Sequence, residues 1–404
     1  MTNAEPLASP AASPTAHRWS PVLAVALATF TVVSSEMMPV GLLTPMSHSL
    51  GITDGVTGLS LTITGLIAAV LSPFAPLLVG LRDRRTVLVA FMLLLGLANA
   101  VTALAPDFAV LAAGRVLLGA AMGIVWGLAA SIGPRLADGP RIALAMTLIF
   151  SGVSIASVLG VPLGTYLAAL LDWRAAFWAL ALLGAASAAV LAATLPTLPV
   201  HERGRLGGLA GALRHRGIAT GIAITAFVVL GHFAGYTYVR PVLEADAGLS
   251  SGVIAACLLV YGLAGIAGNF TLGPLSGHRP RTAVALALAG VTLAAALLTH
   301  ATGVVTVLLV LIVWGASYGG VSVSTQTWVR TADPARMEAS AAVWAGVFNA
   351  SIALGSFTGG LVVDRAGNHA VLLTAAGLAA VGLLLTLLSR PHARRLDRRL
   401  DQPV

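Results

Sequence analysis

The chain has 404 residues, of which 57% are hydrophobic and only 9% are charged, with a formal net charge of +8. A soluble globular protein carries about 25% charged residues because its surface faces water, so this composition excludes an ordinary soluble enzyme. The positive charge does not indicate a nucleic-acid partner, because the arginines of this lysine-free chain are spread over short segments between long apolar blocks, which is a signal of membrane topology.

The apolar blocks are long enough to cross a bilayer as helices, which takes about 20 residues each. We predict twelve spans, and hence an all-α membrane protein of two six-helix halves. A disordered tail (1–18) precedes a bundle at 19–195, and a linker (196–217) leads to a second bundle at 218–389 and a basic tail (390–404). The blocks lie approximately at 20–43, 55–80, 86–105, 108–132, 142–170, 174–195, 218–243, 251–275, 282–300, 303–328, 339–363 and 369–389.

The arginines fix the predicted orientation. If the N-terminus is inside, 19 of the 23 arginines fall in inside segments, and the outside loops hold only Arg174, Arg240 and Arg365. Basic residues accumulate in the cytoplasmic loops of membrane proteins. Both termini and the linker are therefore predicted to be cytoplasmic, in a bacterial inner membrane.

Glu36 is an acid inside the first span, between Val33 and Met37. An ionised carboxylate at that depth costs about 2.5–3.5 kcal/mol, and polar residues inside membranes are usually functional. A carboxyl group that takes up and releases a proton from either side would suit a proton-coupled carrier. The alternatives are a carboxylate hydrogen-bonded for packing, or one close enough to the outer surface to remain wet.

Arg115 is a second charge inside a span, the fourth. Arginine stays protonated even when buried, so it needs a partner, either Glu36 or backbone carbonyls. Trp126 lies eleven residues further on and shares the helix face of Arg115. Trp126 is predicted to flank a solute or simply to pack.

Charges and glycines in the first half suggest conformational roles. Asp83, Arg84 and Arg85, together with Arg141 of the next inner loop, either form a cytoplasmic latch or are plain positive-inside charge. On the fifth span, small residues recur every four positions and allow close helix approach, and a proline there can kink the helix. They are read either as tight packing or as a flexible joint, and comprise Gly152, Ala156, Gly160, Pro162 and Gly164.

In the seventh span, His232, Tyr236 and Arg240 fall four residues apart and predict one polar stripe. His232 could donate to a solute or accept a proton, whereas Arg240 at the outer end is expected to be an anchor. Tyr318 and Asn349 complete the predicted solute-binding set.

The two halves repeat at an offset of about 197 residues. A parallel repeat of this kind places a solute site at the midplane between the halves. Glu36 and Arg115 match Phe233 and Leu311, so both charges belong to the first half alone. The matched pairs include Gly51 with Gly248, Gly65 with Gly262, Gly80 with Gly277, Gly119 with Gly315, Gly123 with Gly319, Asp138 with Asp333, and Arg141 with Arg336.

From about residue 20 to 390, the chain resembles the major facilitator superfamily, in its bacterial drug:proton antiporter branch of sugar, purine and chloramphenicol exporters. The resemblance implies an acidic first-helix motif, a cytoplasmic-loop motif, a membrane arginine and an antiporter motif. The loop motif departs from the family by lacking the glycine between its basic residues. The stretches that carry it are SSEMMPVGLLTP, GLRDRR, GRVLLGAAMG, SGVSIASVLGVPLG and GHFAGYTYVRPVL.

We therefore expect a proton-coupled exporter of a small neutral or weakly polar solute, such as a drug, sugar or nucleobase, working by alternating access. A facilitator or inward symporter of the same fold is the alternative, and a membrane enzyme a distant one. The G-x-S-x-G sequence at 315–319 is discounted because it lies within a span, not on a strand-to-helix turn. No cofactor or metal is expected, Cys257 being the single cysteine, and the expected partners are solute, protons and lipid, with a monomeric chain.

Overall fold

The computed structural model describes residues 19–138, 141–199, 209–333 and 336–389. The predicted tails, 1–18 and 390–404, lie outside the described residues, as does much of the predicted linker. Regular secondary structure in the described part is helical, as predicted.

The helices follow one another with short connections. In chain order they are α1 (Ser20–Leu50), α2 (Asp54–Val79), α3 (Arg84–Ala103), α4 (Phe108–Leu136), α5 (Arg141–Leu170), α6 (Trp173–Thr194), α7 (Leu209–Arg214), α8 (Arg216–Tyr236), α9 (Val239–Ala245), α10 (Ser251–His278), α11 (Pro280–Leu298), α12 (Gly303–Gly319), α13 (Val321–Ala332) and α14 (Met337–Leu388).

These helices make twelve spans, as predicted. In the part of the chain that the structure describes, eleven continuous stretches are long and apolar enough to cross a membrane, with α8 and α9 forming one and α12 and α13 another. The 52 residues of α14 would be about 78 Å long as one straight helix, against a hydrocarbon core of about 30 Å. The backbone breaks at Gly367, where φ is 78° and ψ is −177°. The two arms of α14, 337–366 and 368–388, are therefore the eleventh and twelfth spans.

Helix α1 is longer than the predicted block and contains two prolines. It continues past position 43 and ends at Gly51, which has a left-handed φ of 64°. Pro39 and Pro45 lie inside the helix. Because proline has no N–H, the carbonyl four residues before each one loses its helical partner. The carbonyls left free in this way belong to Ser35 and Gly41.

The predicted repeat is visible in the backbone. Gly248 has a φ of 65°, matching that of Gly51. The turn in which the Arg141 N–H donates to the Asp138 carbonyl at 3.1 Å recurs at the same length between Arg336 and Asp333. A departure is Gly80, whose φ is 60°, since its match in the second half lies within α10.

Helix contacts repeat in the same way. A Cβ atom at Gly119 would lie 2.7 Å from the Thr64 carbonyl, and one at Gly315 would lie 2.2 Å from the Tyr261 carbonyl. Thr64 and Tyr261 are themselves 197 positions apart. The α2–α4 contact and the α10–α12 contact are therefore equivalent.

The two halves meet through α2 against α14 and α5 against α10. The end of the bundle at which α1 ends and α2 begins is called the Gly51 face. There the Asp364 carboxylate of α14 accepts hydrogen bonds from the Thr53 hydroxyl at 2.6 Å and the Gly55 N–H at 2.9 Å. The Ser356 hydroxyl donates to the Gly58 carbonyl at 2.9 Å.

Toward the opposite end of the bundle, the helices of the two halves pack less closely. A Cβ atom at Gly346 of α14 would lie 4.0 Å from Pro73 of α2, an ordinary contact, whereas one at Gly55 would lie 2.4 Å from Asp364. A Cβ atom at Gly277 of α10 would meet nothing within 4 Å. The halves are therefore closed against each other at the Gly51 face.

Candidate functional site

Glu36 lies in the middle of α1 and is 6% exposed. Its Oε1 atom has no hydrogen-bond partner among the described residues. The carboxyl group is within electrostatic range of the Tyr318 hydroxyl, which belongs to the second half. The neighbouring Met37 packs against an apolar cluster to which both halves contribute, with Val40 and Leu61 from the first and Phe233 from the second. Glu36 therefore lies where the halves meet, as the repeat predicts for a solute site.

Arg115 of α4 is fully buried but does not pair with Glu36. Its Nη1 atom donates to the Ser35 carbonyl at 3.1 Å, and its Cζ atom lies 4.8 Å from the centre of the Phe177 ring. The Ser35 carbonyl is available because Pro39 cannot donate to it. The sequence left either Glu36 or a backbone carbonyl as the partner of Arg115, and in the structure the partner is the backbone carbonyl of Ser35.

Asn99 of α3 was missed by sequence reasoning. It is 1% exposed, and its Nδ2 atom donates to the Ser35 hydroxyl at 2.9 Å. Ser35 is thus held through its side chain by α3 and through its carbonyl by α4. Because successive residues of an α-helix are about 100° apart around the axis, this fixes the direction in which Glu36 projects. A lone amide within an apolar block was the available signal.

His232 is the centre of an aromatic cluster in the second half. Its ring stacks on Tyr318 with centroids 3.4 Å apart and planes 8° apart, and on Tyr236 at 4.9 Å and 21°. Tyr236 stacks in turn on Tyr261 at 4.8 Å. The rings make a bent column that runs from Tyr261 to Tyr318, and Tyr318 is half-buried and within electrostatic range of Glu36. Two of the predicted solute-binding residues, Tyr236 and Tyr318, thus join His232.

Trp314 fixes the orientation of His232. The indole Nε1 atom donates to His232 Nδ1 at 3.0 Å, and the two rings meet edge to face, 5.7 Å apart. An indole N–H can only donate, so Nδ1 must accept and the neutral imidazole carries its proton on Nε2. Trp314 and Tyr261 were not predicted, because an aromatic residue in an apolar span is indistinguishable in sequence from a packing residue.

The predicted polar stripe does not extend to Arg240. Helix α8 ends at Tyr236, and Arg240 belongs to the separate short helix α9. The four-residue spacing therefore does not place Arg240 on the same helix face as His232 and Tyr236. Arg240 is also more than an anchor at the outer end. It is 5% exposed, forms an ion pair with Glu244 at 2.8 Å and bonds to the Gly41 carbonyl of the other half.

Two predicted solute-binding residues lie outside the aromatic cluster. Trp126 stacks on Phe150 of α5, with centroids 6.3 Å apart. Asn349 donates to the Ala345 carbonyl of its own helix at 2.9 Å, on the part of α14 that packs against Gly65. Their role in binding a solute stays a prediction.

The small residues of α5 face α1. A Cβ atom at Gly152 would lie 2.2 Å from the Ala26 carbonyl, one at Gly160 2.9 Å from the Ser34 hydroxyl, and one at Gly164 2.0 Å from the Met38 sulfur. Pro162, on the same helix, is buried. The stripe therefore provides tight packing against the helix that carries Glu36, and its role as a flexible joint stays a prediction.

The predicted cytoplasmic charges do not form one cluster. Asp83 accepts from the Leu198 N–H at 2.6 Å, and Arg84 donates to the Gly80 carbonyl at 3.1 Å. Arg85 donates to the Ala192 carbonyl. Among the described residues, no ion pair joins these three side chains to Arg141.

The site as a whole is a carboxyl group of the first half that faces an aromatic cluster of the second. It can exchange a proton, stack a planar group and donate one imidazole N–H. Within the described ranges, no three His, Cys, Asp or Glu side chains converge as metal ligands would.

Comparison with known proteins adds independent information. Residues 25–349 match the Major Facilitator Superfamily. The chain is 33% identical over 378 residues to the transcription regulatory protein OpdE of Pseudomonas aeruginosa, covering 92% of this chain and 94% of that protein. It is 31% identical over 375 residues to the purine ribonucleoside efflux pump NepI of Salmonella typhimurium, covering 92% of each.

Two solved structures share the fold. One is a bacterial homologue of the human lysosomal transporter Spinster in an inward-facing, occupied conformation, with a TM-score of 0.75 and 15% identity, covering 94% of this chain and 97% of that one. The other is the nucleoside transporter NupG, with a TM-score of 0.74 and 16% identity, covering 92% of this chain and 99% of that one.

Proposed function

Because the chain belongs to the major facilitator superfamily, and is therefore a transporter and not an enzyme, we propose that it exports a small planar solute in exchange for protons. Purine nucleosides and nucleobases are the first candidates. The observation that carries the proposal is the buried carboxyl group of Glu36, which faces the aromatic cluster across the boundary between the halves.

Proton coupling is supported by the surroundings of Glu36. A buried carboxylate is costly unless it is paired, and the buried Arg115 hydrogen-bonds to the Ser35 carbonyl and not to Glu36. When Glu36 takes up a proton, the carboxyl group becomes neutral and the free-energy cost of burying its charge disappears. A solute that donates a hydrogen bond to the carboxylate removes part of the same cost, so solute and proton compete for one group.

The solute class is supported by the ring column. Aromatic rings favour offset stacking with other flat rings, and the half-buried Tyr318 ends the column on the side of Glu36. His232 Nε2–H is a donor for a ring nitrogen or a carbonyl. The relative NepI of Salmonella typhimurium is a purine ribonucleoside efflux pump, and purine ribonucleosides match this chemistry.

The direction is supported by the arginine distribution, which assigns the Gly51 face to the outside. The closed Gly51 face then corresponds to an inward-facing state in which solute enters from the cytoplasm. The membrane potential supplies about 2.3 kcal/mol per charge per 100 mV, and each pH unit adds about 1.4 kcal/mol per proton. One proton per cycle can therefore support a tenfold or larger solute gradient.

The test is transport of radiolabelled purine ribonucleosides and nucleobases into everted membrane vesicles with an imposed pH gradient, acid inside. Wild-type protein should accumulate solute against its gradient, and collapse of the pH gradient should stop accumulation. Glu36→Gln should reduce gradient-driven accumulation at least tenfold, because the neutral amide cannot take up and release the proton.

The matched control is Asp172→Asn, which removes an exposed carboxyl group from a surface pair with Arg174 at 3.6 Å and should leave transport unchanged. Equilibration without accumulation would indicate a facilitator. Accumulation driven only by the opposite pH gradient would indicate an inward symporter. Either result would contradict the export proposal.

A further inference from the structure

The carbonyl of Gly41 is an acceptor created by a proline. Pro45 cannot donate to it, so the helical hydrogen bond is missing. Two donors reach it: the Thr165 hydroxyl of α5 at 3.1 Å, from the same half, which shares its one hydrogen with the Val161 carbonyl at 2.9 Å, and the Arg240 Nη1 atom of α9, from the other half. A carbonyl oxygen has two lone pairs, so both are in use.

Arg240 is held in place by its own half. Its Nε atom pairs with Glu244 at 2.8 Å, and its Nη2 atom donates to the Ser251 hydroxyl at 3.1 Å. The guanidinium group therefore has three acceptors, of which two stay with it when the halves separate. Gly41 likewise keeps Thr165.

We propose that Arg240 is a positioning residue of the transport cycle: it holds α1 closed at the Gly51 face through the proline-freed carbonyl of Gly41 and releases it when that face opens. The inference rests on the proposed function, because it requires a face that opens. An arginine bond to a carbonyl is charge-assisted and is stronger than a neutral one. Since Arg240 keeps Glu244 and Ser251, and Gly41 keeps Thr165, breaking the bond costs only the hydrogen bond of the Nη1 atom.

Pro39 and Arg115 provide the comparison within the same helix. Pro39 frees the Ser35 carbonyl, which Arg115 binds at 3.1 Å. Arg115 and Ser35 belong to the same half, so this bond does not have to break when the halves separate. Pro39 thus frees a carbonyl for a hydrogen bond within the first half, and Pro45 frees one for a hydrogen bond between the halves.

The contact also connects the Gly51 face to Glu36. Gly41 lies five residues after Glu36, about 7.5 Å along the helix axis. When Arg240 releases Gly41, the end of α1 is free to move, and Glu36 lies on the same helix. The geometry therefore joins opening of the Gly51 face to exposure of the carboxyl group.

The test measures opening of the Gly51 face as the distance between two spin labels, by pulsed electron–electron double resonance. The labels are attached at His48→Cys and Ala245→Cys, two exposed positions, in a Cys257→Ala background. The full chain is reconstituted in lipid nanodiscs without solute. Arg240→Met should raise the ratio of open to closed face about tenfold, because a charge-assisted hydrogen bond is lost. Arg240→Lys, which keeps the charge but replaces the planar guanidinium with a single ammonium group, should produce a smaller increase.

Thr165→Val should change the open fraction in the opposite direction from Arg240→Met. It removes the donor that Gly41 would retain in the open state, so it should lower the open fraction. A purely structural role for this contact predicts that both variants loosen the bundle. Opening in Thr165→Val, or no change in Arg240→Met and Arg240→Lys, would overturn the proposal.

The experiment is separable from the transport test. It uses neither a solute nor a pH gradient, so a failure of proton-driven export would leave the spin-label distances interpretable. If Arg240→Met does not fold, Arg240→Lys and Thr165→Val still test the proposal, because they must shift the open fraction in opposite directions.

Discussion

A single hydrogen bond determines which nitrogen of His232 can meet a solute. Trp314 Nε1 occupies Nδ1 at 3.0 Å, so the Nε2–H remains as the donor. The stacked rings of Tyr236 and Tyr318 on either side prevent the imidazole from turning. The residue is therefore suited to present one fixed donor, which is more useful for recognition than a ring free to exchange tautomers.

Trp314→Phe should raise the KM for exported solute about two- to tenfold, since a hydrogen bond contributes about 0.5–1.5 kcal/mol. The ring remains available for the edge-to-face contact, so the melting temperature in detergent should change little. Initial-rate transport measurements give the KM. The control is Trp173→Phe: the buried Nε1 of Trp173 has no partner among the described residues, so the same substitution should leave the KM unchanged. Equal effects of the two substitutions would contradict the assigned role of Trp314.

The sequence reveals some residues of this site and hides others for physical reasons. Glu36, Arg115 and His232 are conspicuous because polar groups are rare in lipid-facing spans. The partner of Arg115 could not be predicted, because it depends on which helices surround the carbonyl freed by Pro39. Trp314 was overlooked because an apolar span tolerates tryptophan anywhere, and only the fold brings it to His232.

At the level of helices, the α1–α5 contact is a close one and involves the helix that carries Glu36. Gly152, Gly160 and Gly164 allow the two backbones to approach so closely that side chains are excluded. Such close approach is how helices associate strongly within lipid. The spacing of four residues predicted this stripe from the sequence. Its partner helix could not be predicted, because a glycine stripe specifies closeness and not which helix approaches.

Gly152→Ala should destabilise the folded protein by about 1–3 kcal/mol, as overpacking of a buried contact does. The new Cβ atom would lie 2.2 Å from the Ala26 carbonyl, so a backbone must move. Unfolding in detergent, followed by circular dichroism, gives the change in free energy. Gly377→Ala is the control, since a Cβ atom there would meet nothing within 4 Å and alanine is the better helix former. If both variants unfold alike, the α1–α5 contact does not limit stability.

At the level of the whole molecule, the two halves keep one fold and divide the chemistry. The positions that match His232 and Tyr236 are Ser35 and Pro39, and the position that matches Glu36 is Phe233. The first half therefore carries Glu36 and Arg115, and the second carries the aromatic cluster. The duplication and the span boundaries could be predicted because they follow from hydrophobic length and repeated glycines. The division of roles becomes visible only when the halves face each other.

The proposed export requires the halves to separate at the Gly51 face during every cycle. The Asp364 carboxylate, which binds Thr53 at 2.6 Å and Gly55 at 2.9 Å, must then release the start of α2. A short, reducible cross-link between Thr53→Cys and Asp364→Cys, in a Cys257→Ala background, should reduce transport at least tenfold. Transport should return to the level of the uncross-linked double variant when dithiothreitol cleaves the link, because only the link prevents opening.

The control joins two residues of one half: Asp333 and Arg336 form an ion pair at 2.9 Å, and the same cross-link between cysteines there should leave transport unchanged. The measurement is solute flux before and after reduction, with the extent of cross-linking read from the mass of the intact protein. Undiminished flux through fully cross-linked Thr53→Cys/Asp364→Cys protein would mean that solute leaves without separation of the halves at this face. Alternating access through the Gly51 face would then be wrong, although the twelve-span fold would remain.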